Sequence, residues 1–81
     1  MKIRVKLFAI LRERAGSGEL ELTLPEKSTI ADASSALAER IPAIQPHLPR
    51  VAYAVNQSYV DRATVLRDGD ELALIPPVSG G

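Results

Sequence analysis

The chain ends in Val78-Ser79-Gly80-Gly81, directly after Pro76-Pro77. Two glycines allow a backbone to enter a slot that is too narrow for any Cβ. The reactive group of such a tail is its terminal carboxylate, which ATP activates as an acyl-adenylate before a nucleophile attacks the carbonyl carbon. The alternative is a frayed chain end without a function. We favour the reactive tail, because the two prolines hold it in an extended course away from the preceding strand.

Composition limits what else the chain does. Its 81 residues form one domain with a single small core. Ten basic and ten acidic residues give a net charge of zero, which argues against a nucleic-acid partner. Without cysteine the chain has no disulfide framework and no thiol nucleophile. It also has no apolar run long enough for a signal peptide or a membrane span, so we expect a soluble, cytoplasmic protein.

Hydrophobic periodicity predicts both strands and helices. Alternation of apolar and polar residues predicts strands at Lys2–Phe8, Glu19–Leu24, Arg50–Asn56 and from Glu71 to the prolines, with a short fourth strand at Tyr59-Val60. Helix-forming residues between the first two strands predict one or two helical turns at Ala9–Ala15, which end at Gly16. We also expect Val65 and Leu66 to pack under the sheet.

The main helix begins at a capping-box pattern, Thr29 with Asp32, and runs to about Arg40 or Ile41. Its apolar residues recur at helical spacing and therefore face the sheet, namely Ile30, Ala33, Leu37 and Ile41. The order strand, strand, helix, short strands, final strand predicts an α+β fold, a β-grasp (ubiquitin-like) roll. One main helix packs across one face of a mixed four- to five-stranded sheet whose first and last strands are parallel neighbours. Residues 1–76 form this domain and residues 77–81 an extended reactive tail.

Residue parity predicts a partner-binding patch on the face opposite the helix. Phe8 is out of phase with the buried residues of the first strand, and Ile75 is out of phase with Leu72 and Leu74. Tyr59 joins them from the short fourth strand. Scattered exposed apolar residues are normal, but a cluster beside a reactive tail favours a docking surface. The single histidine, His47, has no neighbouring ligand cluster, so we assign it no role.

Three stretches resemble the small subunit of molybdopterin synthase. They are V-K-L-F-A-I-L-R-E-R-A-G at 5–16, A-V-N-Q at 54–57 and L-R-D-G-D-E-L-A-L-I-P-P-V-S-G-G at 66–81. The ending D-G-D-E-x-A-x-x-P-P-V-x-G-G is the most specific signal, whereas a lone Gly-Gly is common to ubiquitin-like proteins and thiamin-type sulfur carriers. Residues 25–50 match only as a helix and a loop.

This resemblance implies a sulfur carrier for molybdenum cofactor synthesis that is no enzyme on its own and binds no cofactor or metal. An E1-like enzyme uses ATP to adenylate Gly81, and the adenylate becomes a thiocarboxylate (1-thioglycine). The tail then enters the active site of the large subunit, which supplies the catalytic side chains, and sulfur passes to cyclic pyranopterin monophosphate to build the molybdopterin dithiolene. Two small and two large subunits form a heterotetramer. The inserted residues are Pro76, Pro77, Val78, Ser79 and Gly80.

Other functions stay open at this point. A sulfur carrier for thiamin synthesis or tRNA thiolation has a similar tail, usually without the Pro-Pro-Val run. A ubiquitin-like protein modifier or a plain β-grasp binding module belongs to a different functional class. The mass of the protein from cells discriminates these, because replacement of one oxygen by sulfur at the terminus marks a carrier.

Overall fold

The computed structural model describes residues 1–77 and contains five strands, two α-helices and a 3₁₀ helix. In chain order these are β1 (Lys2–Leu7), α1 (Ile10–Ala15), β2 (Glu19–Thr23), α2 (Ile30–Arg40), the 3₁₀ helix (Pro42–Arg50), β3 (Ala52–Val55), β4 (Ser58–Val60) and β5 (Glu71–Ile75).

The strands form one mixed sheet in the order β2-β1-β5-β3-β4. The two central strands, β1 and β5, run parallel, with Val5 opposite Leu72 and Leu7 opposite Leu74. The other three pairings are antiparallel. This topology confirms the predicted β-grasp roll with parallel first and last strands, and it places the chain's last strand in the middle of the sheet.

Turn chemistry explains where the strands begin and end. Gly69, at φ 85°, makes the left-handed turn that precedes β5. Asn56 and Gln57 both have positive φ, at 48° and 71°, as expected of the tight hairpin between β3 and β4. The third strand is two residues shorter at its start than predicted, because the 3₁₀ helix extends through Arg50.

The core lies between the sheet and α2. Thr29 and Asp32 make the predicted capping box, with the Asp32 N–H donating to Thr29 Oγ1 at 3.2 Å and the Thr29 N–H donating to Asp32 Oδ2 at 2.9 Å. Inside the core, the hydroxyls of Ser34 and Tyr53 lie 2.9 Å apart and satisfy each other. The largest fully buried side chains come from the sheet, from α2 and from the segments around them, namely Ile3, Val5, Leu7, Leu11, Ile30, Leu37, Ile44, Leu66, Leu72 and Leu74.

The prediction for Val65 is wrong. Leu66 is buried as expected, at 2% exposure, but Val65 is 53% exposed. The Leu66 N–H donates to the Ser28 carbonyl at 2.8 Å, and Val65 forms an isolated antiparallel bridge with Thr29. Side chains of consecutive residues in an extended segment point to opposite sides, so only one of the two reaches the core.

Candidate functional site

The three predicted docking residues lie on one face of the sheet, opposite α2. Phe8 directly follows β1, Tyr59 lies in β4, and Ile75 ends β5. All three line one shallow depression of about 260 Å³, which we call the apolar patch. Phe8 is 45% exposed, Tyr59 is 74% exposed, and Ile75 is half-buried. The structure therefore brings these residues together, and their role in binding stays a prediction.

Two alanines explain why this face is concave. Ala73 of β5 pairs with Ala54 of β3, which in turn pairs with Tyr59 of β4. Both alanines line the depression between the larger side chains. Because a methyl group extends little above the sheet, the larger side chains around it stand higher and leave a hollow. Such a hollow suits an apolar side chain of a partner protein.

A charged pair that sequence reasoning missed also lines the depression. Lys6 Nζ lies 2.8 Å from Glu71 Oε1 across the parallel β1–β5 pairing. The hydrogen bond to Glu71, with the Coulombic attraction of the same carboxylate, raises the pKa of Lys6 above its ordinary value of 10.5. A paired charge is less costly to cover than a lone one, so this pair is compatible with an interface. The alternation in β1 places Lys6 on this face, but its partner in β5 depends on the register of the two strands.

Ala9 holds an unusual backbone conformation beside the patch. Its φ of 52° and ψ of −126° lie in a region that favours glycine. The turn around it is closed by the Leu11 N–H, which donates to the Phe8 carbonyl at 3.1 Å. The sharp reversal ends β1 at Leu7 and starts α1 at Ile10, so it leaves Phe8 at the rim of the sheet. Hydrophobic periodicity carries no information about the sign of φ, so this strain at Ala9 could not be predicted from the sequence.

The start of the tail leaves the sheet next to the apolar patch. Ile75 lines the patch, and Pro76 and Pro77 follow it immediately, with Pro76 half-buried and Pro77 exposed. The proposed reactive residue, Gly81, lies outside the described residues. The same holds for the three tail residues before it, Val78, Ser79 and Gly80.

A second depression, of about 280 Å³, lies at the root of the tail. Its lining includes His47 and Arg50 of the 3₁₀ helix together with both prolines. We assigned His47 no role from the sequence, because only the fold brings it to the start of the tail. Within residues 1–77 no group of three or more His, Cys, Asp or Glu side chains could hold a metal ion. No helix in the same part of the chain is long and apolar enough to span a membrane.

A mixed β-grasp sheet covered by one helix, with a Gly-Gly sequence after its central strand, defines a ubiquitin-like protein. Comparison with known families agrees with this class. The chain belongs to the ThiS family, whose model matches residues 5–81.

Individual relatives match over nearly the whole chain. The molybdopterin synthase sulfur carrier subunit of Arabidopsis thaliana is 36% identical over 81 residues, which cover 100% of this chain and 84% of the relative. Small archaeal modifier protein 1 of Haloferax volcanii is 36% identical over 88 residues, covering 94% of this chain and 97% of the relative. The crystal structure of SAMP1 from Haloferax volcanii superposes with a TM-score of 0.93 at 32% identity, with both chains covered completely. These matches confirm the resemblance stated from the sequence.

Proposed function

We propose that this chain is the sulfur carrier subunit of a molybdopterin synthase. The family match through residue 81 is the observation that carries the proposal, because it includes the whole tail. The similarity to a relative of that name supports the particular pathway. The exit of the tail from the central strand β5, beside an exposed apolar patch, fits a body that stays outside a partner while its tail enters.

The reacting group is the Gly81 carboxylate. An E1-like enzyme joins it to the AMP moiety of ATP and releases pyrophosphate. A sulfide-level nucleophile then attacks the carbonyl carbon, the bond to AMP breaks, and a thiocarboxylate remains. The chain binds no cofactor of its own in this scheme, and ATP is a substrate of the activating enzyme. The use of ATP supports the cytoplasmic location expected from the sequence.

Sulfur transfer takes place inside the large subunit. Pro76, Pro77, Val78, Ser79 and Gly80 carry the thiocarboxylate into that active site, where cyclic pyranopterin monophosphate accepts the sulfur and water restores the oxygen on Gly81. One carrier delivers one sulfur, and a dithiolene needs two. A heterotetramer of two small and two large subunits matches this count. General acids and bases are expected on the large subunit, since within residues 1–77 the only histidine is His47.

The apolar patch is the docking surface for the large subunit. Phe8, Tyr59 and Ile75 provide two aromatic side chains and one aliphatic side chain around a hollow, and aromatic residues are enriched among interface hot spots. The patch adjoins the start of the tail, so one partner can cover both. The paired charges of Lys6 and Glu71 then help to set the orientation of the partner.

The test compares the intact protein with variants of its tail. We expect protein from cells to contain a species heavier by the difference between sulfur and oxygen, located by fragmentation at Gly81. Deletion of Gly81 removes this species and sulfur transfer but leaves the melting temperature unchanged, because the tail adds little to the core. Gly80→Val blocks adenylation or insertion through its branched Cβ. Gly80→Ala adds a single methyl group and should block these steps less. Sulfur transfer by the Gly81 deletion would refute the proposal.

The similarity to small archaeal modifier protein 1 favours a second function, conjugation to other proteins. The same activated Gly81 carbonyl would then be attacked by a lysine amine, and an isopeptide bond would form in place of the C–S bond. Mass spectrometry of lysates separates the two, because conjugates appear as proteins that carry this chain on a lysine. Conjugates without any thiocarboxylate species would favour the modifier function.

A further inference from the structure

The depression at the root of the tail carries two basic side chains. His47 is half-buried and Arg50 is exposed, and both line the depression with Ile10, Pro76 and Pro77. Its volume of about 280 Å³ is enough for the end of one side chain from another molecule. It adjoins the apolar patch through β5, because Ile75 lines the patch and Pro76 lines the depression.

No Asp or Glu among the described residues lines this depression. Residues 41–60, which include the 3₁₀ helix, β3 and β4, contain no Asp or Glu. The two ion pairs among residues 1–77 join Arg4 to Glu19 and Lys6 to Glu71, and neither involves the depression. The Arg50 guanidinium offers only N–H donors, and the His47 imidazole can donate a hydrogen bond in either tautomer. Within the described part of the chain, the depression therefore offers hydrogen-bond donors and has no acidic side chain in its lining.

We propose that His47 and Arg50 bind an Asp or Glu side chain of the large subunit, at the mouth of the slot that receives the tail. This inference rests on the proposed function. A protein that covers the apolar patch and holds the tail must pass over this depression, since both prolines line it. An arginine guanidinium binds a carboxylate with two parallel hydrogen bonds, which fixes the angle at which the tail enters.

The reach of the tail separates this contact from the reacting centre. The four residues after Pro77 span at most about 14 Å when fully extended. An anion bound at the depression therefore lies at the entrance of a slot that the tail fills, and it is distinct from the phosphates of ATP or the pterin at the far end. A carboxylate at this position complements the positive charge and leaves the reacting atoms untouched.

The test is a calorimetric titration of the intact carrier with the large subunit at several salt concentrations. We expect Arg50→Glu to weaken binding about tenfold or more, because it places like charges together. Arg50→Gln and His47→Gln should each weaken it about two- to fivefold. Arg50→Gln should also reduce the salt dependence of the dissociation constant, because it removes a charge. Arg67→Glu is the matched control, since it makes the same charge change before β5, at the end of the strand opposite the tail.

Four outcomes decide the matter. Weaker binding by Arg50→Glu with normal binding by Arg67→Glu supports the proposal. Normal binding by Arg50→Glu, while Phe8→Ala weakens binding, overturns the carboxylate contact and leaves the docking surface intact. Equal weakening by both charge reversals overturns it as well, because the effect is then one of overall charge. If the unaltered chain does not bind the large subunit at all, the proposed function fails and this contact fails with it.

Discussion

Truncation of Phe8 separates binding from folding, because this side chain lies at the rim of the patch and not in the core. Phe8 is 45% exposed, so its removal loses about half of the burial of a phenylalanine, or about 1 kcal/mol of folding free energy. Leu7, its neighbour in sequence, is 2% exposed and faces the opposite side. Leu7→Ala should cost about 2 to 5 kcal/mol of stability, because it leaves a cavity in the core.

The two variants should rank in the reverse order for binding, so that Phe8→Ala weakens the complex more than Leu7→Ala does. If Phe8 fills a pocket of the large subunit, Phe8→Ala should weaken the complex by about 1 to 3 kcal/mol, which is about 5- to 150-fold in the dissociation constant. Ile75→Ala should act similarly, since Ile75 lines the same depression. Leu74→Ala removes a fully buried side chain next to it and should act on stability, with a smaller effect on the affinity of the folded protein.

Calorimetric titration and thermal melts of the same samples measure both quantities. Val65→Ala is the matched control, because Val65 is an exposed apolar residue, 53% accessible, that lies outside the patch. It should change neither the affinity nor the melting temperature appreciably. Unchanged affinity in both Phe8→Ala and Ile75→Ala would refute the docking surface. A loss of stability in Phe8→Ala as large as that in Leu7→Ala would refute the assignment of Phe8 to the surface.

Three further predictions concern the Ala9 backbone, the Ser34–Tyr53 hydrogen bond and the pKa of Lys6. Ala9→Gly should raise the free energy of unfolding by about 1 kcal/mol in urea, because relief of the backbone strain exceeds the added entropy of the unfolded chain. Tyr53→Phe should lower it by about 1 to 2 kcal/mol, because the buried Ser34 hydroxyl loses its partner. Stability should fall as the pH rises above 10.5, since the pKa of Lys6 is raised in the folded state and its attraction to Glu71 is complete only below that value.

Each of these has a control within the chain. Ala31→Gly, in the first turn of α2, should lower the free energy of unfolding. A higher free energy of unfolding in Ala9→Gly is then not a general effect of glycine. Ser34→Ala combined with Tyr53→Phe should recover part of the loss, because no hydroxyl is then left unpaired. Lys6→Met should flatten the alkaline part of the stability curve. An unaltered pH dependence in Lys6→Met would contradict the role of the ion pair.

The sequence predicted the elements whose reasons are local. The alternation in β1 and β5 places every buried residue of those strands on the correct face, and the capping box of Thr29 and Asp32 forms as written. The proximity of Phe8, Tyr59 and Ile75 could also be predicted from the sequence, because residue parity determines the face of the sheet and the β-grasp strand order determines which strands are neighbours. These predictions needed only the two-residue period of side chains along a strand and the strand order of a β-grasp fold.

Features that depend on tertiary contacts could not be predicted from the sequence. Val65 and Leu66 are both apolar, and only the bridge between Val65 and Thr29 decides which of them faces the core. His47 lies far from Pro76 in sequence, and the packing of the 3₁₀ helix alone brings the two to one depression. The pairing of Lys6 with Glu71 required the register of two strands that are separated by most of the chain.

The position of β5 in the sheet fixes the point at which the tail begins. β5 lies between β1 and β3, and its residues Leu72 and Leu74 are fully buried. A central strand with buried side chains opens only when the whole domain unfolds, whereas an edge strand frays locally. Pro76, which joins β5 to the tail, directly follows Ile75 of the apolar patch and is therefore held next to the patch for as long as the domain is folded. A partner that binds the patch thus meets the start of the tail at a fixed point, which lowers the entropy cost of binding there.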